Sequence, residues 1–370
     1  MALTQKQRIL DVVAGKQVDK VPFGARIDVW YNYHAAHDSL PAKYKGWSST
    51  DIIADQGAAA QKRFFSVAKE TYHDMEVVKR DEPPYEVTEY ITPLGMCSIK
   101  LIWSVNEGPW LAYEHEKLFK SEKDYPVIKY ILEHTIPVFN EEYTKERKDM
   151  GERGIVMTGT GLWGPNQRVM REIMGYELFY NEYMDRPDKV DELMTAMMDL
   201  ERKKLDICIG ADIEIINLCA NWSDDIHTPV FKEYFTPWFR EANEKIHAAG
   251  KFSMAHADGE MRRLIPLYSE TMLDIAEAVT PAPQTKCTME EFRNGMGKHV
   301  TLWGGIPSIM FESDFSNKEF DDYIIKMLKA MKPGMRFIAG MADNLPIAAD
   351  INRVGRVVEL IEKYGKLPII

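Results

Sequence analysis

IEIINLCANWSDDIHTPVFKEYFTPWFREANEKIHAAGKFSMAHADG, residues 213–259, reads as strand, helix and strand in succession. The β-branched run Ile213 to Cys219 runs into Asn221 and Trp222, and the run Lys251 to His256 runs into Asp258-Gly259. Between them, Pro229 to Ala249 carries apolar residues at helical spacing, opens behind Thr228 as an N-cap and stops at Gly250. Parallel strands need a crossover of this kind, so the stretch predicts a βαβ unit.

The same rhythm extends outward on both sides. Val21 to Trp30, Met75 to Arg80, Gly154 to Gly159, Met272 to Glu277, Val300 to Gly305 and Arg336 to Met341 are further short strand signals ending near Gly, Asn, Asp or Pro. Asp188 to Ile209, Asn317 to Met331 and Ala349 to Tyr364 are further helices, with Gly210, Gly334 and Gly365 as terminators. Eight such strands with helical crossovers predict an α/β fold, a closed (β/α)8 TIM barrel, with an open doubly wound sheet as the alternative. No repeat, low-complexity tract or Gly/Ser linker divides the chain, so one domain over 1–370 is expected. Tyr85 to Ser104 breaks the rhythm: two alternating runs hinged at Pro93-Leu94-Gly95 predict a β-hairpin inserted after the second barrel strand. It either covers the barrel mouth or forms a subunit contact, as in a homodimer.

Composition narrows the function classes. With 370 residues, 45% hydrophobic and 28% charged, the chain is far from a disordered composition. A net charge of -11 argues against gripping nucleic acid phosphates or an anionic membrane. Cys97, Cys208, Cys219 and Cys287 show no disulfide spacing, the opening MALTQKQRIL reads as a helix and not a secretory signal, and no apolar run is long enough for a bilayer. A cytoplasmic location is expected. The 21 Met, 8 Trp and 17 Tyr must mostly be core, and they also suit a pocket for a flat apolar ligand.

In such a barrel the chemistry comes from the C-terminal ends of strands and the loops after them. His256 and Asp258 end the fifth predicted strand, Glu277 ends the sixth and Cys219 ends the fourth. From adjacent strands these four can converge as a tetrahedral N/O/S set, which zinc accepts. The plain reading stands beside it: His256 as a hydrogen-bonded structural histidine, Asp258-Gly259 as cap and turn, Cys219 as a buried cysteine. Glu277 is harder to explain plainly, since a carboxylate closing an apolar run is costly unless a metal, base or donor meets it. Gly304-Gly305-Ile306-Pro307-Ser308 lacks the spacing of a phosphate loop, and Asp225-Ile226-His227 fails a corrinoid-binding D-x-H-x-x-G pattern at Val230.

LTQKQRILDVVAGKQVDKVPFG near the start, His256-x-Asp258-Gly259, Trp303-Gly304-Gly305-Ile306-Pro307 and the closing FIAGMADNLPIAADINRVGRVVELIEKYG resemble the uroporphyrinogen decarboxylase superfamily end to end. The resemblance implies a (β/α)8 barrel and one of two activities, porphyrinogen decarboxylation or zinc-dependent methyl transfer with a corrinoid protein. Decarboxylases carry an M-R-Q-A-G-R type segment, whereas Phe23 to Asn32 here is acidic and aromatic. The methyltransferase branch is therefore implied. Its His-x-Cys zinc motif matches at His256, with Asp258 in place of the cysteine, and Glu277 falls where a related barrel family has a glutamate. The eighth-strand cysteine is replaced by Met341, with Asp343 close by; Cys219 is the substitute thiolate and Asp343 the runner-up.

Exchanging thiolate for carboxylate leaves a harder Lewis acid, suited to an ether oxygen. The implied function is methyl transfer from an O-methyl donor, an aromatic methyl ether, to the Co(I) corrinoid (cobalamin) of a separate corrinoid-binding protein. In that role His256, Glu277, Asp258 and Cys219 hold zinc, with Glu277 and Asp258 also catalytic. Asp28, Trp30, Tyr31, Asn32, Trp163, Asn221 and Trp222, at predicted strand ends or the loops after them, line the aromatic pocket. The alternatives are a second methyltransferase delivering methyl from a corrinoid to a thiol or folate, and a barrel that only binds an aromatic ligand or a corrinoid protein.

Overall fold

The computed structural model describes residues 3–64, 66–103, 112–161, 163–218 and 221–369. Two compact units are present: Met1–Phe65 with Glu141–Thr158 and Ile213–Ile370, and Ser66–Asn140 with Gly159–Asp212. In chain order the strands are β1 (Phe23–Ala25), β2 (Ala59–Arg63), β3 (Ala68–Tyr72), β4 (Glu76–Glu82), β5 (Tyr85–Thr92), β6 (Gly95–Trp103), β7 (Ala112–Glu116), β8 (Thr135–Phe139), β9 (Gly154–Gly159), β10 (Ile215–Asn217), β11 (Phe252–His256), β12 (Ile275–Val279), β13 (Thr301–Ile306) and β14 (Phe337–Met341).

The first unit is the barrel, closed in the order β1-β14-β13-β12-β11-β10-β9-β2. Its pairings are parallel, and the register sets His256 opposite Glu277 and Trp303 opposite Ile338. The barrel strands are buried on both faces, so they read as short apolar runs and not as alternating ones. Ile155, Met157, Ile215, Met254, Ile275, Trp303 and Ile338 meet in the core together with Ile9, Val12 and Val13 of the N-terminal helix Gln5–Val13. The architecture is the expected (β/α)8 TIM barrel.

The second unit interrupts the barrel chain after β2 and again after β9. It holds the antiparallel pair β3-β8 and the antiparallel sheet β4-β5-β6-β7. The predicted hairpin is β5 and β6, with Thr92 paired to Gly95 across the turn; Ser104 lies outside the described residues. Glu70, Arg168, Glu201 and Lys204 form a buried ion-pair network in this unit, with Arg168–Glu70 at 2.9 Å and Lys204–Glu201 at 2.8 Å.

Three expectations are corrected. Met75 to Arg80 is a strand, but it belongs to β4 of the antiparallel sheet; the second barrel strand is β2, AAQKR. No β-branched residue marks β2, because its interior positions carry polar groups for the site. The first predicted strand is shorter than expected: β1 ends at Ala25 and a helix starts at Asp28, its first turn held by the Val29 N–H donating to Asn344 Oδ1 at 3.2 Å. Thr228 does not cap: its hydroxyl has no hydrogen-bond partner among the described residues, and the chain passes through a tight turn and a π-type turn, Phe231–Phe235, before the α-helix Thr236–Ala248. Pro237 has no N–H to give back to Glu233, so an α-helix cannot run unbroken from Phe231–Phe235 through it, whereas the first turn of Thr236–Ala248 accepts it.

Trp303 occupies barrel space that only glycine leaves free. A Cβ on Gly24 would lie 2.5 Å from the Trp303 ring, and one on Gly340 would lie 2.8 Å from it. Gly24→Ala is expected to cost roughly 1–3 kcal/mol of stability through overpacking, read as a lower thermal midpoint; an unchanged midpoint would show that the ring has room to move.

A second test concerns charge. Glu214, just before β10, is met by Arg147 through two hydrogen bonds of 2.6 and 2.8 Å and by Lys6 at 2.7 Å. Partial burial raises its carboxyl pKa, but the hydrogen bonds from Arg147 and Lys6 outweigh this and take it down to about 2 from 4.5. A depressed folded pKa means that the stabilisation is full above about pH 4.5 and fades as pH falls toward 2. Glu214→Gln should therefore lower stability by about 1 kcal/mol at pH 7, with the gap to wild type closing in acid denaturation near pH 2.

Candidate functional site

Six neighbouring side chains at the C-terminal face of the barrel make the polar centre. His256, the last residue of β11, is 4% exposed, and Glu277 in β12 is 1% exposed. Parallel register sets them side by side, and His256 Nδ1 lies 2.5 Å from Glu277 Oε2. Gln61 of β2 donates its Nε2 to the other carboxylate oxygen, Oε1, at 2.7 Å. The opposite ring nitrogen, Nε2 of His256, faces Asp258 Oδ2 at 3.4 Å and Asp343 Oδ1 at 3.7 Å. Asp343, two residues beyond β14, accepts a 2.5 Å hydrogen bond from Arg26 Nη2, one residue beyond β1.

The charges tune one another. Burial works against the His256 imidazolium, yet the Glu277 and Asp258 carboxylates outweigh it and raise the pKa to about 9. Burial likewise opposes the Glu277 carboxylate, and His256, Arg26 and Arg63 hold its pKa below the usual value. Asp28 moves the other way: its burial dominates over the attraction of Arg26 and Arg63, and its pKa is raised. Arg26 stays firmly charged, because Asp343, Glu277 and Asp28 outweigh the burial that would depress it.

Glycine shapes the adjoining loop. A Cβ on Gly259 would lie 2.1 Å from the Trp222 carbonyl oxygen, so only glycine lets the chain after Asp258 pass this close to the loop after β10.

The structure brings together His256, Asp258 and Glu277 of the expected site, together with Asp343. Cys219 lies outside the described residues. Asp28 opens the helix after β1, with its Oδ2 3.9 Å from Arg26 Nε. Trp30 is buried with its ring 4.8 Å from that of His34, and Asn32 is half-buried on the same helix. Tyr31 donates its hydroxyl to the Trp47 carbonyl and, with His34 and Trp47, lines a cavity of about 410 Å³. Asn221 is half-buried, whereas Trp222 is fully buried among Phe231, Phe235, Phe239 and Tyr268, an aromatic core contact and not a pocket wall. Trp163 lies in the second unit, where the Arg171 guanidinium sits 3.9 Å from its ring centroid.

Sequence reasoning missed Gln61, Arg63 and Arg26. The Phe23–Asn32 stretch reads as acidic and aromatic, yet its single base is the buried partner of Asp343. Alternation within Gln61-Lys62-Arg63 is the signal that was there to find: Lys62 reaches Glu146 on one face while Gln61 reaches Glu277 on the other.

As metal donors, His256 Nε2 and Asp258 fit one edge of a zinc site. Their 3.4 Å separation is close to the roughly 3.3 Å that two tetrahedral ligands at zinc bonds of about 2.0–2.1 Å must keep. Asp258 Oδ1 is buried without a hydrogen-bond partner among the described residues. Both Glu277 oxygens are engaged, and no group of three or more His, Cys, Asp or Glu side chains among the described residues is set to hold a metal ion.

The family model for uroporphyrinogen decarboxylase (URO-D) matches residues 156–364. A solved methyltransferase from Methanosarcina mazei superposes with a TM-score of 0.60, covering 98% of this chain and 99% of that one at 11% identity, a likeness of fold. No curated protein sequence matches the chain. No described helix is long and apolar enough to cross a membrane. With more than half of its length matched by the family model, and with a closed parallel barrel carrying polar groups at its C-terminal face, the chain belongs to the uroporphyrinogen decarboxylase family.

Proposed function

We propose that the barrel mouth transfers a methyl group from an O-methyl donor, an aromatic methyl ether, to the Co(I) corrinoid of a separate corrinoid-binding protein. The observation that carries this reading is the orientation of His256. Its Nδ1 is fixed on Glu277, so its Nε2 is turned toward Asp258 and Asp343 as a donor pair with an unpartnered carboxylate oxygen. An imidazole held by a carboxylate in this way is the outer-shell arrangement of zinc-binding histidines. The fold likeness to a Methanosarcina mazei methyltransferase supports the same reading.

His256 through Nε2 and Asp258 would hold the metal, with Asp343 entering only if it leaves Arg26. A zinc ion held there would supply Lewis acidity toward an ether oxygen. Glu277 acts through His256: it accepts the Nδ1 proton, fixes the tautomer and aims the ring. Gln61 holds Glu277 in turn, and Arg26 keeps Asp343 from collapsing onto His256. A phenol with pKa near ~10 is already a good leaving group, so positioning of the donor supplies much of the remaining rate.

Two outcomes are expected. Protein mixed with reduced corrinoid protein and a methoxylated phenol should give the absorption spectrum of a methyl-Co(III) corrinoid; a spectrum obtained only with methylamines, alcohols or thioethers would reject the ether donor. Glu277→Gln should lower zinc affinity and methyl transfer roughly 10- to 100-fold with the circular dichroism spectrum unchanged. Full zinc content and full activity in that variant would remove Glu277 from this role.

A further inference from the structure

The two donors of the site are held in different ways. Glu277 aims the His256 ring, whereas Asp258 stands two residues past the end of β11, in a loop. Its Oδ2 faces His256 Nε2 at 3.4 Å, and its Oδ1 is buried without a hydrogen-bond partner among the described residues. The carboxylate is therefore placed by the backbone that carries it. That backbone is fixed on both sides. Before it, the Ala257 N–H donates to the Glu277 carbonyl at 2.7 Å. After it, Gly259 passes the Trp222 carbonyl with no room for a Cβ, and two acidic side chains take hold.

Asp224, 5% exposed and in the loop after β10, donates its own N–H to the Glu260 carbonyl at 2.9 Å. Both of its carboxylate oxygens accept the Arg263 N–H at 3.0 Å, and the Arg263 side chain reaches the neighbouring Asp225. Glu260 reaches the other way, into the loop after β12: its Oε2 accepts the Lys286 N–H at 2.9 Å and its Oε1 the Cys287 thiol at 3.2 Å. Arg262 adds a 2.6 Å bond from Nη2 to the Lys286 carbonyl. Bonds from backbone N–H to an ionised carboxylate are roughly twice as strong as neutral ones. A metal donor must be held within about 0.5 Å of its productive place, and a donor on a loose loop loses conformational entropy when the metal arrives. We propose that Asp224 and Glu260 are positioning residues, which clasp the loop after β11 so that Asp258 stands opposite His256 Nε2 before a metal binds. The role rests on the metal-donor reading of His256 and Asp258 given above.

Two measurements on the full chain test the clasp: zinc affinity by competition with a chromogenic chelator, and hydrogen exchange of the backbone amides of residues 257–263 in the metal-free protein. Asp224→Ala and Glu260→Ala are each expected to weaken zinc binding roughly 10-fold or more and to speed exchange in that segment, with the circular dichroism spectrum unchanged. Asp224→Asn and Glu260→Gln keep an oxygen that accepts the N–H groups and should restore most of both. Gly259→Ala leaves every donor and both clasping carboxylates in place but drives the chain off the Trp222 carbonyl, and it should weaken zinc binding to a similar degree. Faster exchange with wild-type zinc affinity in the alanine variants would make these contacts structural only and overturn the proposal, as would unchanged exchange. If the alanine variants do not fold, Gly259→Ala and the partial deficits of Asp224→Asn and Glu260→Gln decide. Asp258→Ala separates the two readings: zinc binding that survives it removes Asp258 from the metal site and the clasp's role with it, whereas loss there and none in the Asp224 and Glu260 variants keeps the site and removes the clasp.

Discussion

Glu277 is a carboxylate enclosed by a β-barrel, and the C-terminal face is arranged around keeping its charge. An isolated ionised carboxyl in such surroundings would take up a proton. Here each oxygen has its own donor, Gln61 from β2 and His256 from β11, and the buried charges of Arg26 and Arg63 add a favourable field. Removing one partner of a buried ionic arrangement costs about 3–5 kcal/mol, because the other is left without compensation. Barrel closure, by bringing β2 and β12 to the same interior, is what supplies these donors.

That dependence runs back to register. His256 and Glu277 face each other because β11 and β12 are parallel and in step through Met254–Ile275 and Ala255–Ala276. Trp303, on the next strand, fixes the other side by filling the space beside Gly24 and Gly340. A bulge between Glu277 and Val279 then shifts the β12–β13 pairing directly after the site. Bulges re-aim strands where chemistry is placed.

Most of this was legible in the sequence for a physical reason. Parallel barrel strands are buried on both faces, so β9 to β14 advertise themselves as short apolar runs between helices, with His256 at the end of β11, Asp258 just beyond it and Glu277 in the middle of β12. β2 did not, because AAQKR spends its inward positions on Gln61 and Arg63 and therefore looks like a loop. The antiparallel strand β4, EVVKRDE, carries the stronger β-branched signal, which is why Met75 to Arg80 reads as the second barrel strand. The aromatic pocket was the least legible part. Trp222 and Trp30 are as rich in apolar surface as any ligand wall, and only their burial against Phe231, Phe239 and His34 shows them as packing.

Among the described residues, the groups facing the His256 ring are oxygen donors and not thiols. Cys97, Cys208 and Cys287 are buried. Burial pushes the Cys287 thiol up to about 12, and it donates to Glu260 at 3.2 Å, so it is not a thiolate at neutral pH. What faces His256 Nε2 is oxygen, from Asp258 and Asp343. Oxygen and imidazole donors stabilise a hard cation and leave it electron-poor, whereas thiolates soften it toward sulfur ligands. The basic groups beside it, Arg26 and Arg63, are guanidiniums, which bring positive charge that does not titrate away at neutral pH.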